Sequence, residues 1–393
     1  MLAVPKSAAM RYIGNKTKLL SFLTQKIRLL GIEPGVAHDA FAGTAAVGRA
    51  LKADGWRVHT SDLMTYSYVM QRALVTASRS QRFESLAHAI PAIRAAFSHA
   101  GRTAVPAKGN GHAAARGSPA SRNDDARWRA IARHLSTEVP PVDGFFAQNF
   151  GPVGGRMYFT DENARRIDGA RTALHGWRHA GLIDDDAYYV LLAGIIEGAD
   201  RVANTAGVYA AYIKRWQPNA LKPFAVLAEP PVLSRLRCRA HQADAAQVAA
   251  ALGAIDLLYV DPPYNTRQYA GYYHVPELIA RGWFDDVVAL RGKTGLISSV
   301  EQRSAWCSRR QAPGALRELL DATGARHVLV SYNSEGVIAD QELRGILRDA
   351  AVDGRVRRFT RQYKRYRADS DREGRRYKAN VVRELLYYAR LRD

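Results

Sequence analysis

The residues best equipped for chemistry in this sequence are Asp261-Pro262-Pro263-Tyr264. An ionised Asp261 accepts hydrogen bonds and donates none, and the Pro262 carbonyl is a second acceptor beside it. Two acceptors on one side can hold both hydrogens of an exocyclic amino group such as adenine N6. That draws the nitrogen lone pair out of ring conjugation and toward an electrophilic methyl group. Tyr264 offers a flat face on which a flipped base can stack. The plainer alternative is a strand and a proline turn, with Asp261 as a helix cap.

A strand must present these groups. Leu257-Leu258-Tyr259-Val260, bracketed by Asp256 and Asp261, is a continuous apolar run that predicts a buried parallel strand. Two consecutive prolines stop it, because neither donates to a sheet ladder and both fix φ near −65°. The carboxylate, carbonyl and ring then sit at the strand's C-terminal edge, where open α/β sheets place their ligands.

A partner for that edge lies far upstream. Val36 to Gly48 reads as strand, glycine turn and helix, and Gly43 lets the backbone approach a cofactor closely. Trp56 to Asp62 predicts a second strand ending in an acid, roughly 20 residues beyond the turn, a position that commonly takes ribose hydroxyls. The fuller Gly-x-Gly-x-x-Gly of nicotinamide enzymes is absent, and Ala45 stands where Phe-x-Gly-x-Gly has its second glycine. Before this unit, Leu19, Leu20, Leu23, Ile27 and Leu30 recur at helical spacing behind a Gly14-Asn15-Lys16 turn. Its lysine either grips a carboxylate or phosphate or belongs to an ordinary loop.

The composition narrows the partner. The chain has 393 residues, 47% of them hydrophobic, enough for one large core or two smaller ones. A net charge of +20 favours a polyanionic partner over a merely solvated basic surface. Cys238 and Cys307 are too few for a disulfide framework or a thiolate metal site, so no metal is expected and a reducing cytoplasm fits. No apolar run nears the ~20 residues of a membrane span.

Residues 101–126, rich in Gly, Pro, Ser and Ala, are expected to form a flexible, weakly basic linker. Two helices follow. Thr160 or Asp161 caps the first, with Ile167, Ala170, Leu174 and Trp177 on one face; Asp184 caps the second, with a stripe from Tyr188 to Val202. Tyr209, Tyr212, Lys214, Arg215, Trp216 and Lys222 either stack on bases and meet phosphates or close a helical subdomain. Leu236 to Asp244 resumes the sheet, and Gln247–Leu252 is a short helix. Arg267, Tyr269 and His274 crowd the base pocket, His274 as a hydrogen-bonding residue. Val328 to Asn333 is a further strand, with a helix after it. Arg355 to Arg367 and Arg383 to Tyr388 predict a C-terminal basic hairpin whose arginines and tyrosines suit a phosphate backbone.

Together these pieces resemble the Dam-like, alpha-group N6-adenine DNA methyltransferases. Asp261-Pro262-Pro263-Tyr264-Asn265-Thr266-Arg267-Gln268-Tyr269, with Tyr273-His274, is similar more narrowly to the FokI-type modification methylases. Likeness extends to Arg11-Tyr12-Ile13-Gly14-Asn15-Lys16, to the helical region Thr160–Lys222, to Ser331–Gly336 and to Tyr363-Lys364-Arg365-Tyr366. The resemblance implies an α/β fold: a Rossmann-like S-adenosylmethionine-dependent methyltransferase sheet with an inserted, mainly helical target-recognition domain. It implies a cofactor-binding part at 10–74, a target-recognition insertion at 75–228 and a catalytic part at 229–393.

The resemblance also assigns residues. Tyr12, Lys16, Asp39, Phe41, Gly43, Asp62, Asp244 and Asp261 would line the cofactor, and Asp261, Pro262, Pro263 and Tyr264 would carry catalysis. Arg267, Tyr269, Lys214, Arg215, Lys364, Arg365 and Arg367 would meet double-stranded DNA. A cognate restriction endonuclease is a further expected partner, and no membrane is. Asn15 and Ala45 replace glycines of the Dam-like pattern. Cytosine-N4 methylation, and a catalytically silent DNA-binding protein on the same fold, stay open beside adenine methylation.

Overall fold

In a computed structural model, which describes Arg11 and residues 16–102, 119–285, 287–364 and 381–392, seven strands form one sheet. They are β1 (Val36–Asp39), β2 (Arg57–Asp62), β3 (Arg239–Gln242), β4 (Ala254–Val260), β5 (Gly324–Asn333), β6 (Arg357–Lys364) and β7 (Val381–Arg390). Their spatial order is β3-β2-β1-β4-β5-β7-β6. Strands β1 to β5 pair in parallel, and β7 enters antiparallel between β5 and β6. The strand order turns back on itself between β1 and β4, which opens a crevice beyond their C-terminal ends.

The central strand shows why the sheet needs layers on both faces. Leu257 and Tyr259 enter one core, while Leu258 and Val260 enter the other, as a two-residue period requires. Helices α1 (Leu20–Leu29), α2 (Ala46–Ala53) and α3 (Thr65–Gln71) serve the first core, with Leu23, Ile27, Val47, Leu51 and Val69. The connection from β2 to β3 then carries α4 (Glu84–Ala89), α5 (Pro91–Arg102), α6 (Pro119–Arg133), α7 (Phe145–Phe150), α8 (Asp161–His179) and α9 (Asp185–Val202). After β3 come α10 (Ala245–Leu252), α11 (Tyr269–Tyr272), α12 (His274–Arg281), α13 (Ala312–Ala322) and α14 (Asp340–Ala350). Helices α10, α13 and α14 fill the second core with Ala249, Leu316, Leu319, Leu343 and Leu347.

The two long insertion helices start where side-chain caps dictate. Thr160 accepts from Asn163 N at 3.3 Å, and Asp184 accepts from Ala187 N at 2.8 Å. The expected faces of α8 and α9 are buried, from Ile167 to Trp177 and from Tyr188 to Val202. Gly198 lets α9 meet the chain closely, since a Cβ there would lie 2.1 Å from the Ala225 carbonyl oxygen.

One expectation is corrected and one open alternative is resolved. Residues 101–126, expected to form a flexible linker, are helical at both ends: α5 runs through Arg102 and α6 begins at Pro119, while 103–118 lie outside the described residues. A proline at a helix's first position, and alanines around it, suit helix as well as loop. Tyr209 takes the second of its two open readings. It is buried, and its hydroxyl donates to Asp200 at 3.0 Å, so it closes the helical subdomain. Among the described residues no helix is long and apolar enough to cross a membrane.

Candidate active site

The register that pairs Asp39 with Tyr259 brings the ends of β1 and β4 level, so Asp39 and Asp261 leave adjacent strands on the same side. Asp39 is buried. One oxygen accepts from Gly48 N of α2 at 3.0 Å, and the other has no partner among the described residues. Burial first, and then the nearby Asp261, push its carboxyl up to about 8. Gly48 must be small, because a Cβ there would lie 2.9 Å from Thr60 Cγ2.

The turn after β1 has left-handed backbone at both Gly43 (φ +51°) and Ala45 (φ +58°). Asp62, at the end of β2, ties that turn down by accepting from Gly43 N at 3.0 Å and from Met64 N at 3.0 Å. Burial raises its carboxyl above the ordinary range, and these backbone donors pull the other way. Phe41 meets Trp306 edge-on, with ring centroids 4.9 Å apart.

Beyond β4 the prolines deliver Asp261 into a buried charge cluster. Lys16 Nζ lies 2.9 Å from Asp261 Oδ1 and 2.9 Å from Glu384 Oε1 of β7. Lys16 also donates to the Tyr264 hydroxyl at 2.5 Å, and that hydroxyl donates to Asp261 Oδ1 at 3.3 Å. Ser331 of β5 donates to Glu384 Oε1 at 2.7 Å. Lys16 and Glu384 are only 5% and 2% exposed, so these charges stabilise one another in place of water. Burial would lower Lys16, but Asp261 and Glu384 together hold it above its ordinary value. Burial raises Asp261 to about 6, against the pull of Lys16.

Both halves open into one cleft. It brings together Lys16, Asp39, Phe41, Gly43, Asp62, Asp244, Asp261, Pro262, Pro263, Tyr264 and Tyr269, all expected from the sequence. Asp244 caps α10 through Ala246 N at 2.8 Å while lining the cleft. The cleft also uses residues that sequence reasoning missed: Gln268, Gln302, Ser304, Trp306 and Cys307. Gln268 holds the wall that carries them, donating to Ser304 O at 3.1 Å and accepting from Ser304 N at 2.8 Å. Gln302 donates to Glu277 at 2.6 Å, and Glu277 accepts from Thr65 N and Tyr66 N at the start of α3.

Other expected residues lie elsewhere. Arg267 is exposed beside the cleft, its guanidinium 5.9 Å from the Tyr272 ring, and Lys214 and Arg215 are exposed beyond α9. Lys364 ends β6, while Tyr12, Arg365 and Arg367 lie outside the described residues. His274 is not a pocket residue. It is fully buried between the Phe150 and Tyr158 rings with Nε2 2.9 Å from Thr294 O, because the apolar face of α12 points into the core.

Residues 12–333 match the family described as D12 class N6 adenine-specific DNA methyltransferase. The chain is 32% identical over 386 residues to the type II methyltransferase M.NlaIII of Neisseria lactamica, covering 96% of this chain and 98% of that one. It is 29% identical over 384 residues to the type II methyltransferase M.FokI of Planomicrobium okeanokoites, covering 96% of this chain and 52% of the relative. M.CviAII of Paramecium bursaria Chlorella virus 1 is 25% identical over 379 residues, covering 96% and 97%. With the family match running through Asp261-Pro262-Pro263-Tyr264 and a relative aligned over nearly its whole length, the chain belongs to the D12 class of N6 adenine-specific DNA methyltransferases.

Proposed function

We propose that the cleft seats S-adenosylmethionine against the glycine turn and the target adenine against Asp261, Pro262 and Tyr264. One observation carries this reading: a single cavity joins Asp39, Gly43 and Asp62 to the Asp-Pro-Pro-Tyr turn of the neighbouring strand. The donor set fits the cofactor. Asp39 keeps a buried acceptor with no partner among the described residues, Asp62 stands at the ribose position, and Phe41, Trp306 and Met64 give apolar walls. When bound, S-adenosylmethionine supplies a methyl group on a sulfonium.

The chain's own part is to hold the adenine. Asp261 and the Pro262 carbonyl take the two N6 hydrogens, and Tyr264 supports the base face, while Pro263 fixes the turn. Lys16, expected at the cofactor, lines the same cleft and spends its ammonium on Asp261, Glu384 and Tyr264. The 75–228 insertion reads the target, between a cofactor part at 10–74 and a catalytic part at 229–393. Tyr269, Arg267, Lys214, Arg215, Lys364, Arg365 and Arg367 meet the DNA. A cognate restriction endonuclease is the further partner of this reading, beside two relatives named type II methyltransferases.

Asp261→Ala tests the reading. Positioning and electrostatic effects supply most of the rate in such a site, so loss of the acceptor is expected to cut methyl transfer by about 10³-fold or more. The readout is tritium transfer from labelled S-adenosylmethionine to unmethylated genomic DNA, with circular dichroism to check folding. A folded Asp261→Ala protein with full activity rejects it.

A further inference from the structure

Glu384 stands on the last strand of the sheet, far in sequence from every residue discussed as catalytic. It is nonetheless 2% exposed and bonded to the lysine that grips Asp261. A glutamate this deep needs partners, and among the described residues it has two: Lys16 Nζ at 2.9 Å and the Ser331 hydroxyl at 2.7 Å, both on Oε1. Both contacts to Asp261 likewise fall on a single oxygen, Oδ1.

We infer that Glu384, oriented by Ser331, is a positioning residue: it anchors Lys16 so that the lysine fixes Asp261 by Oδ1 and leaves the other carboxylate oxygen for the adenine amino group. Charge balance gives the anchor a second task. Lys16 alone would neutralise Asp261, leaving a buried pair of zero net charge. Glu384 restores one net negative charge to the cluster, which matches the single positive charge of a sulfonium brought into the same cleft. This inference rests on the catalytic reading of Asp261 above.

Asp261 is faced by Lys16 from the N-terminal segment, Asp39 from β1, Tyr259 from β4, Tyr264 and Tyr269 beyond it, and Glu384 from β7. Of the carboxylates, Glu384 adds to the rise that brings Asp261 to about 6. Only the ionised carboxylate is free to accept its N6 hydrogen beside the Pro262 carbonyl, so kcat of the unaltered protein should fall about tenfold per pH unit below about pH 6.

Glu384→Gln keeps the shape and removes the charge. The expected result is a kcat at least about tenfold lower, a several-fold higher Kd for S-adenosylmethionine by calorimetry, and an acidic limb moved to lower pH. A merely structural role would lower activity without moving the limb. Wild-type kcat with an unmoved limb in the folded variant overturns the proposal. If Glu384→Gln does not fold, Ser331→Ala decides, since it removes the orienting hydroxyl and keeps both charges. A several-fold lower kcat with an unchanged Kd for S-adenosylmethionine is then expected, and wild-type kcat or a raised Kd overturns the proposal. An inert Asp261→Ala beside a fully active Glu384→Gln would reject this inference alone, whereas an active Asp261→Ala would reject the reading beneath it.

Discussion

Ala45 sits with φ +58° where the pattern of related turns has glycine, and it is fully buried. Left-handed backbone costs a non-glycine residue about 1–2 kcal/mol. Burying the methyl contributes about 0.8 kcal/mol, and the stiffer unfolded chain adds about 0.4–1 kcal/mol. The terms nearly cancel, which is why alanine can occupy the turn. Asp62 acts on the same turn from the other side, holding Gly43 N and Met64 N. Asp62→Ala removes those bonds and the proposed ribose acceptor together. A hydrogen bond to a charged group is worth about 1.5–3 kcal/mol, so the Kd for S-adenosylmethionine should rise about tenfold to a hundredfold. Calorimetry measures it, and an unchanged Kd would reject the ribose assignment.

Elements with a local signature were legible in the sequence. The run Leu257–Val260 ended by two prolines predicts β4 and its turn, and Thr160 and Asp184 mark the starts of α8 and α9. What escaped has no period to betray it. Glu384 is one of three charged residues in β7, and Gln268 and Gln302 are single amides whose partners lie 36 and 25 residues away. Their roles arise only when the strands and loops meet. The cleft wall at 302–307 depends on the Gln268 clamp, two hydrogen bonds worth about 1 kcal/mol each. In Gln268→Ala the Ser304 amide should therefore exchange its hydrogen roughly tenfold to thirtyfold faster. Exchange at the wild-type rate would show that the wall stands without the clamp.

At the scale of the whole molecule, the D12 match decides between the two amino-group targets that the sequence alone left open, in favour of adenine. A net charge of +20 suits a polyanionic substrate, and binding by phosphate contacts releases counterions. If about five to eight phosphates are met, log K for a DNA duplex should fall with log salt at a slope of about −4 to −7. Fluorescence anisotropy across 50–200 mM salt measures the slope; a flat line would place recognition outside the basic surface.

The antiparallel entry of β7 between β5 and β6 bears on when the protein can work during synthesis. Strand β5 pairs with β7 from His327 to Asn333, so its outer edge stays open while the intervening residues are being made. The hydrogen-bonding edge of β5, the Ser331 hydroxyl and the Lys16 ammonium all wait for Val381–Arg390 to emerge from the ribosome. A nascent chain stopped before that point carries the glycine turn and Asp261-Pro262-Pro263-Tyr264 yet lacks the strand that completes the charge cluster. On the proposed role of that cluster, methyl transfer is withheld until β7 has been made, and products terminated before it should leave the genome unmarked.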